Sequence, residues 1–141
     1  MTVGILLVMH MIIKFLISFG VFLTIDLVWL GVIARRVYVH YMGHLLRTPP
    51  NWPVAGLFYG LFVVGLMIFA ILPGLEQKSV AHAMKMGALF GFFTYMTYDL
   101  TNWAVLNNWP AGIVWIDILW GTVLSTLVAG ISTRLIMSIL K

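Results

Sequence analysis

The sequence predicts an all-α membrane protein: a four-transmembrane-helix bundle with a short interfacial amphipathic helix between helices 1 and 2. Composition is the first reason: hydrophobic residues make up 62% of the 141 residues and charged residues only 9%, whereas soluble domains carry about 25% charged residues. The second is that four apolar stretches reach the roughly 20 residues that a helix needs to cross the hydrocarbon core. The third is that lipid offers backbone N–H and C=O groups no partner, which favours helices over open sheets.

The four predicted helices form a single transmembrane domain over residues 1–141 and cover about residues 12–34, 54–72, 84–106 and 110–137. The apolar lead-in to the first helix lacks a basic start and a small-residue cleavage site, so we interpret it as retained. Pro73-Gly74 is expected to end the second helix, because proline removes a backbone donor. Asn107–Trp109 is predicted to be a tight turn, so that the last two helices form an antiparallel hairpin.

The connection between the first two helices is long and basic. At helical spacing its apolar side chains share one face and its basic side chains the other: Val37, Tyr38, Tyr41, Met42 and Leu45 against Arg35, Arg36, His40 and His44. This pattern predicts a short amphipathic helix in the membrane interface. His40 and His44 have the spacing of a zinc pair, but no third ligand is close in sequence and cysteine is absent, so neither a metal nor another cofactor is predicted.

Two Asn-Trp-Pro tripeptides stand where helices are predicted to begin, Asn51-Trp52-Pro53 and Asn108-Trp109-Pro110. Asparagine suits a helix cap and proline suits the first turn. Either an ancient doubled hairpin or the repeated use of good capping residues explains the similarity.

Acidic residues are rare in this chain, and most of them fall inside predicted spans. Of the four, Asp26, Asp99 and Asp117 lie in predicted helices and Glu76 does not. An acid at a helix centre costs about 2.5–3.5 kcal/mol to insert, so three such residues indicate a compensating role. Each lies about 10–13 Å from a helix end on the same side of the bundle. We therefore expect the three carboxyl groups to share one level.

The aromatic and small residues follow the same asymmetry. All six tryptophans map to the half of the bundle that holds the acids: Trp29, Trp52, Trp103, Trp109, Trp115 and Trp120. Small and polar residues recur at three- or four-residue spacing on the last two helices, in the stripes Gly87, Gly91, Tyr95, Asp99, Asn102 and Asp117, Gly121, Ser125, Ser132. Because small residues let helices approach closely, these stripes and the pair Gly56 and Gly60 are expected to face inward.

Together these patterns predict a polar cavity inside the bundle. Its candidate ligand-binding or proton-linked residues are Asp26, Asp99, Asp117, Asn102, Trp29, Trp120, Tyr98 and Tyr95. Intramembrane ionisable groups commonly mark a substrate or proton path. The alternative is that the acids only join helices through hydrogen bonds, since intramembrane polar groups also serve packing.

Basic residues mark the two predicted membrane surfaces. Arg35, Arg36 and Arg47 lie beside the aromatic half, where they either bind an anionic lipid headgroup or anchor the membrane edge. The opposite side carries five basic residues, Lys14, Lys78, Lys85, Arg134 and Lys141. The positive-inside rule therefore predicts cytoplasmic termini and places the acids in the outer half of the membrane.

Three motifs also carry a family resemblance. They are Ile25-Asp26-Leu27-Val28-Trp29-Leu30-Gly31, Tyr98-Asp99-Leu100-Thr101-Asn102 and Asp117-Ile118-Leu119-Trp120-Gly121. Together they resemble the signature of domain of unknown function 2177 (DUF2177), a group of small bacterial membrane proteins, over nearly the whole chain. The resemblance implies a multi-pass protein of the bacterial inner membrane, and it supplies no catalytic residue.

The leading functional hypothesis is binding or proton-linked transport of a small amphiphile or lipid-like molecule, without enzymatic activity. If the ligand has a cationic head, tryptophan and tyrosine rings can bind it through cation–π contacts. The alternatives are a membrane-embedded lipid-modifying enzyme or its accessory subunit, and a structural or assembly subunit. The expected partners are membrane lipid and a second copy or another membrane protein. Nucleic acid is excluded, because the net charge of +4 forms no dense basic patch.

Overall fold

The computed structural model describes the backbone of residues 2–140 and the side chains of residues 4–140. Six α-helices follow one another along this part of the chain: α1 (Thr2–Val28), α2 (Arg35–Met42), α3 (Trp52–Leu66), α4 (Leu72–Glu76), α5 (Val80–Val105) and α6 (Ala111–Ile139). Two π-helical turns, Trp29–Ile33 and Met67–Ile71, extend α1 and join α3 to α4. The described residues contain no strand, so the all-helical prediction is confirmed.

Three of the helical segments are long and apolar enough to cross a membrane. They are Gly4–Ile33 with 30 residues, Trp52–Glu76 with 25 and Ala111–Ile139 with 29. These segments correspond to the first, second and fourth predicted spans. The third predicted span corresponds to α5, which has 26 residues and is less apolar than the other three.

The second long helix does not end at Pro73-Gly74, so that prediction was wrong. The π-turn before the proline is the reason: the N–H of Leu72 bonds to the carbonyl of Met67, five residues back. A wide turn of this kind shifts the hydrogen-bond ladder, so a proline that lacks a donor can follow without breaking the helix. The helix therefore continues through α4, where a Cβ on Gly74 would lie 2.5 Å from the Cβ of Ala83.

The two Asn-Trp-Pro tripeptides begin their helices differently. Asn51 caps α3, and its side chain accepts a hydrogen bond from the N–H of Val54 at 3.4 Å. Before α6, by contrast, Pro110 occupies the cap position and Asn108 adopts a left-handed backbone with φ 63°. The capping prediction is therefore confirmed for the first tripeptide and wrong for the second, where asparagine makes the turn instead.

Helices α5 and α6 pack closely through their small residues. A Cβ on Gly91 would lie 2.1 Å from the carbonyl oxygen of Gly121, and a Cβ on Gly87 would lie 2.6 Å from that of Ser125. The predicted inward stripes on these helices are confirmed. The same prediction was wrong for Gly56 and Gly60 of α3, since a Cβ at either position would have no atom within 4 Å.

A short amphipathic helix does follow the first long helix. On α2 the side chains of Val37, Tyr38, Tyr41 and Met42 are half-buried, whereas the basic side chains are exposed. A Cβ on Gly112 would lie 2.6 Å from the ring of Tyr41, so the apolar face of α2 packs on the start of α6. Leu45 lies beyond the end of α2 and is exposed, which differs from the prediction.

The apolar core lies next to the acidic residues, before Asp26 on α1 and after Asp117 on α6. It contains Phe22 of α1, Phe62 and Leu66 of α3, and Leu124 and Val128 of α6, all of them buried. Phe22 stands one helical turn before Asp26 on α1. The acidic residues therefore sit at the boundary of a packed hydrophobic interior.

Candidate functional site

Asp26 is held between two hydrogen-bond donors from other helices. Its side chain is only 4% exposed. The phenol of Tyr59 on α3 donates to its Oδ2 at 3.0 Å, and the indole Nε1 of Trp120 on α6 donates to its Oδ1 at 3.4 Å. The carboxyl group thus acts as an acceptor at both oxygens and ties three helices together.

Asp117 accepts a hydrogen bond from the amphipathic helix α2. Its side chain is 6% exposed, and its Oδ1 accepts a hydrogen bond from the phenol of Tyr38. Burial, and then this hydrogen bond, raise the pKa of Tyr38 above the ordinary value, so the phenol keeps the proton that it donates. The other oxygen, Oδ2, accepts no hydrogen bond from the described residues.

Asp99 has a different environment. Its side chain is fully buried, at 0% exposure, and neither carboxyl oxygen has a hydrogen-bond partner within the part of the chain that the structure describes. It lies on α5, which packs closely on the helix that carries Asp117. All three acids are therefore buried, but only Asp26 and Asp117 accept hydrogen bonds from protein donors, Asp26 at both oxygens and Asp117 at one.

A cavity of about 540 Å³ opens between Asp26 and Asp117. This volume falls within the roughly 300–1,000 Å³ that is usual for small-molecule sites. The walls are largely aromatic rings: Phe58, Tyr59, Phe62, Tyr95, Tyr98 and Trp120. Buried carboxyl groups and an apolar aromatic wall in one cavity suit a molecule that has both a polar and an apolar part.

The cavity reaches the outer surface of the bundle. Three of its lining residues reach that surface: Leu30 is 36% exposed, Phe58 50% and Tyr98 53%. They belong to the π-turn after α1, to α3 and to α5 respectively. The opening therefore lies between these three segments.

The π-turn after α1 positions an aromatic pair behind the cavity wall. The indole rings of Trp29 and Trp120 stack with 4.1 Å between centroids and 7° between planes. The wide turn is closed by a hydrogen bond from the N–H of Ala34 to the carbonyl of Trp29 at 2.7 Å. π-turns within long helices are frequent at functional sites, and this one also supplies Leu30 to the cavity opening.

The structure brings together five of the eight residues that the sequence singled out. Those lining the cavity are Asp26, Asp117, Tyr95, Tyr98 and Trp120. Asp99, Asn102 and Trp29 do not line it. Asp99 is enclosed by protein, with a side chain that is 0% exposed. Asn102 lies nearly one helical turn beyond Tyr98, closer to the end of α5. Trp29 is stacked against Trp120, which separates it from the cavity.

Two important residues were missed, and both left a signal in the sequence. Tyr59 is a phenol inside the most apolar long helix, where an unpartnered hydroxyl is costly. Tyr38 lies on the apolar face of the amphipathic helix, next to residues that pack inward. Each signal indicates a buried hydroxyl that needs an acceptor, although neither says which acid provides it.

The remaining candidates lie outside the cavity. Arg35, Arg36 and Arg47 are exposed and do not line it, and His40 and His44 are exposed as well. The described residues contain no group of three His, Cys, Asp or Glu side chains that could hold a metal ion. The headgroup-binding role of the arginines stays a prediction.

The helices and the family comparison together establish the class of protein. Several long apolar helices define a multi-pass helical membrane protein. A family model described as a predicted membrane protein, DUF2177, matches residues 11–134, so the chain belongs to this family and the resemblance seen in the motifs is confirmed. No curated protein and no solved structure matches the chain.

Proposed function

We propose that this membrane protein binds a small amphiphile or lipid-like molecule in the cavity between Asp26 and Asp117. The observation that carries the proposal is that two buried acids from different helices line one aromatic cavity of about 540 Å³. Burying an ionisable group costs free energy unless function or pairing compensates for it. Two such groups facing the same space indicate that the space receives a ligand.

The shape of the site favours an amphiphile over a compact polar solute. The carboxyl groups lie at the inner end, and the opening is lined by Leu30, Phe58 and Tyr98. A polar head can reach the acids while an alkyl chain leaves through this opening into lipid. Such a molecule buries its head and keeps its tail in the medium in which it already dissolves.

The proposal includes a membrane arrangement with four spans. Helix α5 packs on α6 so closely at Gly87 and Gly91 that a methyl group would not fit, so α5 runs alongside a helix that is apolar enough to cross. The acid of α5, Asp99, points into the bundle. In this arrangement α2 lies in the interface, and the positive-inside rule puts the termini in the cytoplasm of a bacterial inner membrane.

The test is equilibrium binding to the purified full chain in lipid nanodiscs. The ligands are three radiolabelled decyl amphiphiles with neutral, anionic and cationic heads: decanol, decanoate and decyltrimethylammonium. A Leu30→Trp variant narrows the cavity opening, and its matched control is Leu27→Trp, an exposed position one turn earlier that does not line the cavity.

At least one amphiphile should bind saturably to the wild-type protein and to Leu27→Trp. Its affinity for Leu30→Trp should fall roughly tenfold, the effect of about 1.4 kcal/mol. Absence of saturable binding for all three amphiphiles, or equal binding by the two tryptophan variants, would contradict the proposal. A pH gradient across proteoliposomes that drives uptake of the bound amphiphile would extend it to proton-linked transport.

A further inference from the structure

The charge of the cavity wall restricts the kind of head group that fits. Two acids line the cavity, and none of the lysine, arginine or histidine residues that the structure describes does so. An anionic head would meet two carboxyl groups and no balancing cation, which is unfavourable in a low-dielectric site. The charge of the wall therefore disfavours anionic amphiphiles, although the shape of the cavity would accept them.

The hydrogen bonds show that the two acids are arranged as acceptors. Asp26 accepts from Tyr59 and Trp120, and Asp117 accepts from Tyr38. Phenol and indole N–H groups donate but carry no positive charge, so they stabilise a carboxylate without neutralising it. A cation from outside the chain would supply the charge that these donors do not.

One acceptor position remains for a ligand. The side chain of Asp117 is more than nine-tenths buried and lines the cavity, yet its Oδ2 accepts no hydrogen bond within the described residues. Polar groups in largely buried side chains are normally paired, so this free acceptor on the cavity wall is a position that a ligand can use. An alkylammonium head placed there would provide both a hydrogen-bond donor and the balancing charge, and a quaternary ammonium head would provide the charge alone.

The aromatic rings supply the second half of a cation site. Trp29 covers one face of the Trp120 indole at a centroid distance of 4.1 Å, and Trp120 itself lines the cavity. Tyr95 and Tyr98 add two more rings to the same wall. Aromatic faces attract ammonium and quaternary ammonium groups, and cages of such rings recognise them.

We propose that the occupant is a cationic amphiphile, an alkylammonium or quaternary ammonium lipid. Its head lies between Asp26 and Asp117 against the Trp120 ring, and its alkyl chain leaves through the opening at Leu30. This inference rests on the proposed function, because it names the chemical class of the molecule that the cavity binds.

Ranking the three decyl amphiphiles on the wild-type protein in nanodiscs of neutral lipid tests the inference. Decyltrimethylammonium should bind at least roughly tenfold more tightly than decanol, which corresponds to the energy of one desolvated cation–π contact with an adjacent acid. Decanoate should bind most weakly of the three. This comparison needs no variant, so it remains informative if substitution of an acid prevents folding.

An Asp117→Asn variant then links the preference to the site. The amide oxygen can still accept from Tyr38, while the amide N–H₂ replaces the free Oδ2 and removes the charge. The preference for the cation over decanol should fall to within about twofold, whereas Glu76→Gln, the same change at the end of α4, should keep it roughly tenfold.

The possible outcomes separate the inference from the proposed function. Equal binding of cation and alcohol in the wild-type protein, or tighter binding of decanoate, would overturn the inference while leaving an amphiphile site in place. A cation preference that survives Asp117→Asn would overturn it too. Absence of saturable binding for all three amphiphiles would overturn both proposals together.

Discussion

The indole rings of Trp29 and Trp120 are stacked, with 4.1 Å between their centroids and 7° between their planes. The same Trp120 donates through Nε1 to Asp26, 94 positions earlier in the chain, at 3.4 Å. One side chain of α6 therefore holds both the π-turn and the acid of the first long helix. The position of Asp26 in the cavity depends on this double contact.

Replacing Trp120 by phenylalanine should destabilise the protein by about 2 kcal/mol, because one donor to a buried acid is lost and the stacking area shrinks. The free energy of unfolding can be measured by dodecyl sulfate titration in mixed micelles. The matched control is Trp115→Phe on the same helix, an exposed indole whose replacement should change stability by less than about 0.5 kcal/mol. Equal effects of the two substitutions would show that the double contact contributes nothing.

The acids should differ in their tolerance of the same carboxyl-to-amide change. At Asp26 two donors, from Tyr59 and Trp120, each need an acceptor, and an amide offers only one oxygen. Asp26→Asn should therefore cost about 1–3 kcal/mol of stability. Asp99→Asn should be neutral or stabilising, because the buried Asp99 carboxyl has no protein donor to lose.

Unfolding measurements at neutral pH on both variants check this difference. A larger loss for Asp99→Asn than for Asp26→Asn would mean that Asp99 has an essential partner. A ligand in the cavity would meet Asp117 and not Asp99, since Asp99 does not line the cavity.

The sequence predicts the helices and the burial of the acids because each depends on local properties. Apolar length identifies the spans, and an acid in such a helix is expected to turn inward. Asp26 and Asp117 follow this expectation at 4% and 6% exposure. The close packing of Gly91 on Gly121 also follows from spacing along each helix.

The partners of the acids could not be predicted in the same way. Tyr38 reaches Asp117 across 79 positions and Tyr59 reaches Asp26 across 33. Which side chains meet depends on how the helices are rotated and how far they slide against each other. Periodicity gives the inward face of a helix, but not the neighbour that this face meets. The sequence also could not predict that the second long helix continues through Pro73, because a π-turn has no simple sequence signature.

The phenol of Tyr38 should make stability sensitive to alkaline pH. Its pKa in the folded protein is raised above the ordinary value of 10.0 by burial and by Asp117. Below about pH 10 the phenol is protonated in both states and its contribution is complete. As the pH rises further, the unfolded phenol ionises first, so stability falls.

A Tyr38→Phe variant should lose less stability than the wild-type protein between neutral pH and about pH 11. Thermal unfolding in a neutral detergent measures the slope. The control is Tyr41→Phe, which also changes a half-buried phenol of α2 but removes no side-chain hydrogen bond seen among residues 4–140. Identical slopes for wild type and Tyr38→Phe would contradict the prediction.

The four-span arrangement can be tested with single cysteines, because the chain contains none of its own. Arg36→Cys lies on α2, Asn107→Cys in the turn between α5 and α6, and Gln77→Cys between α4 and α5. If α5 crosses the membrane, Asn107→Cys and Gln77→Cys must lie on opposite sides. Arg36→Cys should lie on the same side as Asn107→Cys, because two spans separate these positions: the segment from α3 to α4, and α5.

Labelling intact cells with a membrane-impermeant maleimide, before and after permeabilisation, reads out these positions. Arg36→Cys and Asn107→Cys should react in intact cells and Gln77→Cys only after permeabilisation, because the positive-inside rule places the Lys78 side in the cytoplasm. The reverse pattern would invert the orientation but keep four spans. Reaction of Asn107→Cys and Gln77→Cys under the same condition would mean that α5 does not cross. The proposed path of the alkyl chain from the cavity into lipid would then have to be revised.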